Sequence, residues 1–276
     1  MIQPIISLTT DFGLVDHYVG TLKAVILGIC PGATLVDICH QVHPQVVRQA
    51  ALVLAAAAPF FPSGAVHLVV VDPGVGSERR PIAVQTARAS YVAPDNGVLS
   101  LALVQDPPRV AVHLTAPQYR MPQVSVTFHG RDVFAPAAAH LACGVDPLEM
   151  GKAVPLADLV TFPLSEPERQ PDGSWLGEVL HVDHFGNLIT SFHYPLPTTQ
   201  DPIPTTQHPH LSAHLSVEVA DQQIPQLSRT FADVAPGELV AYVGSSGHLE
   251  VAVREGNAAD VLGVGIGALV RIREGA

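Results

Sequence analysis

The first half of the chain alternates between apolar segments of strand length and longer segments with helical periodicity. Buried strands are predicted in "PIISL", "ATLVDI" and "AVHLVVV", and helices in "VDHYVGTLKAVILGIC" and "QVVRQAALVLAAAA". A later helix is predicted in "VFAPAAAHLACG", which Gly144 ends. Strands that alternate with helices across short connections are typical of a parallel sheet covered by helices. The alternation therefore predicts an α/β fold for this half.

The pattern changes after about residue 146, where prolines become frequent and helical periodicity disappears. Short apolar runs separated by Gly, Asn and Asp then predict antiparallel strands, as in "LSVEVA", "LVAYV", "HLEVAV" and "ALVRIRE". We therefore predict an N-terminal α/β domain with a mainly parallel central sheet over 1–160 and a linker over 161–174. A smaller C-terminal antiparallel β-barrel domain is predicted over 175–276, with a Pro/Thr-rich loop at 194–210.

The composition of the 276 residues argues against several classes of partner. The net charge is −11 and no basic stripe alternates with aromatic residues, so nucleic-acid binding is not expected. The longest apolar run, at 50–61, is too short to span a bilayer, and the N-terminus lacks signal-peptide features. The three cysteines form no C-x-x-C pair, which is typical of reduced thiols. We therefore expect a cytoplasmic protein with no membrane partner.

Common motifs for metal, acyl-transfer and nucleotide chemistry are absent. The segment "CHQVH" at 39–43 has no second pair of ligands at zinc spacing, so no metal is expected. No G-x-S-x-G nucleophile elbow is present. The segment "GSSGH" at 244–248 is either a hairpin loop or a polar loop that holds a ligand through Ser245 and Ser246. The glycine-rich "GVGSER" and "GVGIG" lack the Walker lysine and its spacing, which argues against a phosphate cradle.

Acidic residues follow two of the predicted parallel strands. Asp11 comes after "ISLTT", and Asp72 comes after "HLVVV" and opens a glycine loop. Ligands of parallel α/β sheets bind at the carboxyl ends of the strands, so we expect both acids to face one crevice. The segment "TFHGRDVF" adds His129 and Arg131 just before a helix. From these residues alone we predict a polar crevice with an acid, an arginine and a histidine, whose substrate stays open.

Six long segments resemble one known family and occur in its order: "TTDFGLVDHYVG", "VVVDPGVGSERRPI", "APDNG", "TFHGRDVFAP", "VDHFGNLITS" and "SSGHLEVAVREGNAA". The chain resembles the S-adenosylmethionine hydroxide adenosyltransferases, relatives of the fluorinase and chlorinase, from residue 2 to about 271. The resemblance implies an α/β domain followed by a β-barrel. It also implies a homotrimer that binds its substrate between the N-terminal domain of one subunit and the C-terminal domain of the next.

The implied reaction is the attack of water or hydroxide at ribose C5′ of S-adenosyl-L-methionine, which gives adenosine and L-methionine. No cofactor is implied, because S-adenosyl-L-methionine is the substrate. The residues that handle the water in this family correspond to Asp72, Arg79 and His129. The implied substrate-binding residues are Asp11, Asp183, Phe185, Asn187, Ser245, Ser246 and Glu250.

Among these, Asp11 corresponds to the ribose-binding acid, and the "D-x-F-G-N" element at 183–187 to the contacts with the methionine amino group and the adenine. The chain departs from its halogenating relatives at two positions. Gln45 stands where they place a tryptophan, and Ser246 stands where they place an arginine that binds the carboxylate.

The chemistry explains why such residues suit the reaction. The sulfonium leaves as a neutral thioether and needs no general acid, whereas water must lose a proton to become a good nucleophile. Arg79 can hold developing negative charge on oxygen, and either Asp72 or His129 can accept the proton. Two alternatives stay open. One is a halogenase, which the charge of Asp72 disfavours because it would repel a halide; the other is a non-enzymatic protein that binds S-adenosylmethionine or adenosine.

Overall fold

The structure, a computed structural model, describes residues 3–163, 165–194 and 215–274. The chain divides into two compact units, Met1–Pro163 and Leu164–Ala276. Most of the predicted loop at 194–210 lies outside the described residues.

The first unit contains seven of the described strands and four α-helices. The strands are β1 Ile5–Thr10, β2 Thr34–Cys39, β3 Ala65–Val70, β4 Pro81–Gln85, β5 Ala89–Pro94, β6 Val110–Leu114 and β7 Gly151–Ala153. The helices are α1 Tyr18–Ile29, α2 Val47–Ala57, α3 Ser100–Gln105 and α4 Ala135–Ala142, the last preceded by a π-helical turn at Gly130–Phe134. Short 3-10 turns lie at Ala58–Phe60, Pro117–Tyr119, Pro147–Met150 and Leu156–Asp158.

These strands form one sheet in the order β2-β1-β3-β5-β4-β6-β7. The pairings from β2 to β5 are parallel, and those from β5 to β7 are antiparallel. Apolar clusters cover both faces: one contains Leu22 and Phe134, and the other contains Leu54 and Leu103. Every residue of β3 is buried, which explains why its sequence is apolar except for His67. The predicted α/β class is confirmed, with an antiparallel edge that the sequence patterns did not predict.

The second unit is an antiparallel β structure. Its described elements are β8 Glu168–Arg169, β9 Trp175–Val182, β10 Leu188–His193, β11 Leu215–Val219, β12 Gln222–Ile224, β13 Leu239–Val243, β14 His248–Val253, β15 Leu269–Glu274, α5 Ala258–Leu262 and a 3-10 turn at Phe231–Asp233. The main strand order is β12-β11-β15-β9-β10-β14-β13, and β8 pairs with β9. The sheet curls around a buried core that includes Phe192, Leu249 and Ile272. This barrel-like arrangement confirms the predicted class.

The helices of both units are short, and α1 has 12 residues. Within the described ranges, no helix is both long enough and apolar enough to cross a bilayer.

Candidate active site

Two acids lie at the carboxyl edge of the parallel strands. β1 and β3 are neighbours, with Thr10 opposite Val70 at their ends. Asp11 therefore follows one strand directly, and Asp72 follows the other after a single buried valine. Burial raises the pKa of Asp11, and the negative charge of Asp72 raises it further, although a hydrogen bond from the Gln45 backbone opposes both effects. The structure thus brings the two acids to the same edge.

Asp72 forms a two-point ion pair with Arg79. Arg79 Nε donates to Asp72 Oδ1 at 2.8 Å, and Arg79 Nη2 donates to Asp72 Oδ2. The Arg79 side chain is only 9% exposed, and the Asp72 side chain only 6%. A planar guanidinium that meets a carboxylate in this way is held in a fixed orientation. The pair therefore presents the rest of the guanidinium in a defined direction.

His129 joins this pair through the same guanidinium. Arg79 Nη2 lies 2.8 Å from His129 Nδ1. Arginine can only donate, so Nδ1 must be the acceptor and the neutral ring must carry its proton on Nε2. Burial and the positive charge of Arg79 lower the pKa of His129. His129 is therefore neutral near pH 7, with an N–H group to offer.

One nitrogen of Arg79 has no assigned function within the fold. Its Nη1 atom is buried and finds no hydrogen-bond partner among the described residues. The guanidinium also lies over the ring of Phe134, 5.1 Å from the centroid. A buried donor without a partner costs about 1–3 kcal/mol, so such a group is a strong indication of a ligand. Asp72 and His129 thus hold an arginine that keeps one unsatisfied buried donor.

The loop between Asp72 and Arg79 requires glycine at a defined point. Gly76 has φ +79°, and a Cβ added there would lie 2.6 Å from the carbonyl oxygen of Val126. The Ser77 backbone N–H and hydroxyl both donate to the carbonyl of Gly74, at 3.0 and 2.6 Å. The turn therefore returns the chain so that Arg79 faces Asp72.

Asp11 is held by the segment that follows β2. The backbone N–H of Gln45 donates to Asp11 Oδ2 at 2.8 Å. Gln45 has φ +69°, a left-handed conformation that costs free energy for a residue other than glycine. Such strain next to a candidate binding acid is typical of functional sites, and no sequence pattern indicated it.

The "D-x-F-G-N" element forms the turn between β9 and β10 in the second unit. Asp183 Oδ1 accepts the backbone N–H groups of Phe185 and Asn187 at 2.9 and 2.8 Å, and Oδ2 accepts Asn187 Nδ2 at 2.8 Å. Phe185 is 71% exposed, whereas Asn187 is buried. Asp183 therefore braces the turn, a structural role that the sequence did not indicate, while the turn presents an aromatic ring to its surroundings.

A second acid lies close to Asp183. Glu250 on β14 lies opposite Tyr242 on β13 and accepts a hydrogen bond from its hydroxyl at 2.6 Å. Burial raises the pKa of Glu250, and the charge of Asp183 raises it further, although the Tyr242 hydrogen bond lowers it. Ser245 and Ser246 lie exposed in the hairpin loop between these strands, as one of the two interpretations of "GSSGH" predicted. Tyr242 was not predicted, because a tyrosine in an apolar strand resembles an ordinary core residue.

The histidine-rich segment after β2 makes hydrogen bonds within the first unit. Within the described parts of the chain, no three His, Cys, Asp or Glu side chains are grouped so that they could hold a metal ion. His40 instead hydrogen-bonds to Thr10 at 2.8 Å. The backbone N–H of His43 donates to the Gln49 side chain at 2.7 Å.

Comparison with known proteins connects both units to one family. The sequence profile of the SAM hydroxide adenosyltransferase N-terminal domain matches residues 6–151, and that of the C-terminal domain matches residues 177–271. An (R)-S-adenosyl-L-methionine hydrolase of Thermus thermophilus is 44% identical over 95% of this chain and 97% of its own. A fluorinase of Nocardia brasiliensis is 29% identical over 99% and 98% of the two chains. The crystal structure of a conserved protein from Thermotoga maritima has a TM-score of 0.85 and 35% identity, and covers 97% of this chain and 99% of that one.

Proposed function

The chain belongs to the SAM hydroxide adenosyltransferase family, and we propose that it is an enzyme that hydrolyses S-adenosyl-L-methionine to adenosine and L-methionine. Water or hydroxide attacks ribose C5′ and the thioether of methionine leaves. The observation that carries this proposal is the buried Arg79, whose Nη1 has no partner among the described residues while Asp72 and His129 fix its other donors. That nitrogen is suited to hold the oxygen of a nucleophilic water.

The hydrogen bonds favour Asp72 over His129 as the proton acceptor. The Nδ1 lone pair of His129 already accepts from Arg79, and its Nε2 carries the proton. Each oxygen of Asp72 keeps a further lone pair after binding Arg79. In this proposal Asp72 takes the proton from water, Arg79 stabilises the hydroxide, and His129 donates through Nε2–H. Because hydroxide and sulfonium charges cancel as the bond forms, a site that excludes water favours the transition state.

Product identification tests this reaction directly. The relative from Thermus is named for the (R) sulfonium epimer, and we propose the same epimer as the substrate here. Purified protein is incubated with each epimer, with and without chloride or fluoride, and the products are separated by chromatography. Adenosine and methionine from the (R) epimer are the expected result. A 5′-halo-adenosine would establish a halogenase, and unchanged ligand would establish a binding protein.

We further propose that Asp11 binds the ribose hydroxyls. Asp183, Phe185, Asn187, Ser245, Ser246 and Glu250 are proposed to bind the adenine and the methionine. Replacing Asp11 with alanine should weaken S-adenosylmethionine binding at least about tenfold, because each charge-assisted hydrogen bond is worth about 1.5–3 kcal/mol. The wild-type protein should bind the 2′-deoxy substrate correspondingly poorly. Isothermal titration calorimetry measures both; equal affinities of wild type and variant would contradict this role.

We propose a cytoplasmic homotrimer that needs no cofactor and whose sites lie between subunits. The family resemblance supports the trimer and the shared sites, and the candidate residues divide between the two units of the chain. Sedimentation equilibrium should give about three times the 29.1 kDa of the chain, and activity should decline on dilution below the dissociation constant of the trimer. An active species of monomeric mass would refute the shared site.

A further inference from the structure

Four side chains form a line from the surface of the first unit to the loop that contains Asp11. Lys23 Nζ lies 2.6 Å from Asp37 Oδ2, and Asp37 Oδ1 lies 3.0 Å from His40 Nε2. His40 Nδ1 lies 2.8 Å from the Thr10 hydroxyl. Thr10 and His40 are buried, whereas Lys23 is half-buried and Asp37 is exposed. The proposed reaction assigns no role to any of the four.

The direction of each hydrogen bond follows from the ionised Asp37, which lies between Lys23 and His40. Burial acts to raise the pKa of Asp37, but the hydrogen bonds from Lys23 and His40 outweigh it and lower the pKa. Asp37 therefore only accepts, and the His40 ring turns its Nε2–H toward it. This contact has the length of an ion pair, although the N–H does not point directly at the oxygen. Nδ1 is then the acceptor for the Thr10 hydroxyl.

The same network fixes both residues that follow Asp11. Thr10 Oγ1 accepts the backbone N–H of Phe12 at 3.3 Å. The backbone carbonyl of His40 accepts the N–H of Gly13 at 2.7 Å. Five residues after His40, Gln45 donates to the Asp11 carboxylate itself. The segment after β2 therefore fixes the Asp11 loop through its backbone and through the His40 ring.

We propose that His40 and Asp37 are positioning residues that align the Asp11 carboxylate with the ribose hydroxyls. The inference rests on the proposed ribose contact of Asp11. Hydrogen bonds depend on both distance and angle, so a shift of this loop weakens the ribose contacts. The water-handling group at Asp72 and Arg79 belongs to a different loop. Loss of the hydrogen bonds of His40 and Asp37 should therefore affect recognition of the ribose more than the chemical step.

The test compares affinities for S-adenosylmethionine and its 2′-deoxy analogue by calorimetry. The measured quantity is the affinity for S-adenosylmethionine divided by the affinity for the analogue. This ratio does not depend on turnover or on the fraction of folded protein. His40→Phe keeps a flat ring but removes both ring nitrogens, and Asp37→Asn changes only the exposed end. In His40→Phe the ratio should fall about three- to tenfold, the value of one hydrogen bond, with a smaller fall in Asp37→Asn. KM should rise while kcat changes less than about twofold.

His67→Phe is the matched control. His67 is also buried, and its ring also shares a hydrogen bond with a hydroxyl of β1, Ser7 Oγ, at 2.7 Å. Ser7 lies three residues before Thr10, away from the Asp11 loop. This variant should lose stability and keep the wild-type ratio.

The possible outcomes separate this inference from the proposed function. If wild type does not discriminate between the two ligands, the ribose role of Asp11 is wrong and this inference is wrong with it. If wild type discriminates and His40→Phe keeps the full ratio, only the positioning role is overturned. Should His40→Phe fail to fold, an unchanged ratio in Asp37→Asn overturns the positioning role in its place. An equal fall in His67→Phe would mean that any buried defect lowers the ratio, which also overturns the proposal.

Discussion

Replacing Arg79 with methionine should reduce turnover by about 10²–10⁴-fold while the affinity for S-adenosylmethionine changes little. Methionine keeps most of the apolar stem but removes the donors that Asp72 and His129 fix in place. It also removes Nη1, which in the proposed mechanism contacts the water and not the substrate. Single-turnover kinetics gives the chemical rate, and calorimetry gives the affinity on the same variant.

Asp72→Asn and His129→Ala should lower turnover within the same range, because the three side chains act as one hydrogen-bonded group. A double variant should then be scarcely slower than the slower single variant. Stability must be measured in parallel, since removing one partner of a buried ion pair costs about 3–5 kcal/mol. Variants that no longer bind the substrate would show that the pair only supports the loop. Wild-type turnover in His129→Ala would exclude its part in the reaction.

Arg80→Met is the matched control for Arg79→Met. Arg80 is the next residue and also pairs with a buried acid, Asp95, through Nε at 2.8 Å. The Asp95 side chain accepts in turn from the backbone N–H of Val160 at 2.9 Å, so this pair connects structural segments of the first unit. Arg80→Met should therefore reduce stability and leave turnover close to wild type. Equal losses of turnover in the two variants would remove the special role of Arg79.

The sequence predicted the parallel half of the first sheet because burial on both faces leaves a strong pattern. β1 and β3 are buried along almost their whole length, and helices of clear periodicity separate them. The antiparallel edge left a weaker pattern. The turn between β4 and β5 contains no Gly, Pro or Asn; instead the Thr86 hydroxyl satisfies the Ala89 backbone, with bonds of 3.0 Å to both its carbonyl and its N–H. A side chain that replaces the usual turn residues leaves no turn signal in the sequence.

The candidate site was predictable to a similar extent. Acids at the ends of parallel strands follow from topology, so Asp11 and Asp72 could be identified as one group. Gln45 could not, because its contribution is a backbone N–H in a left-handed conformation, which any residue type can supply at a cost. The structural role of Asp183 was missed for a related reason: carboxylates that brace turns and carboxylates that bind ligands have the same sequence signature.

Replacing Gly186 with alanine should destabilise the second unit by about 1.5–4 kcal/mol. Gly186 has φ +83°, and an added Cβ would lie 2.0 Å from Asn257 Oδ1. Asn257 cannot move freely, because the same oxygen accepts the Asp260 N–H at 3.0 Å and caps α5. The carbonyl of Gly186 also accepts the Ala259 N–H at 3.0 Å, which fixes the turn against this helix. The cost therefore combines backbone strain of about 1–2 kcal/mol with the loss of a cap worth about 0.5–2 kcal/mol.

Gly173→Ala separates these two contributions. Gly173 has almost the same conformation, φ +82°, but an added Cβ would meet no atom within 4 Å, so only the backbone strain should remain. Trp175, the single tryptophan of the chain, lies on β9, and its fluorescence reports urea unfolding of this unit. Gly186→Ala should lose more stability than Gly173→Ala, and Asn257→Ala should cost less in the Gly186→Ala background than in wild type, because the crowded carboxamide is already displaced there. Equal losses in the two glycine variants, or full additivity with Asn257→Ala, would show that the close approach of the 183–187 turn to α5 does not require glycine.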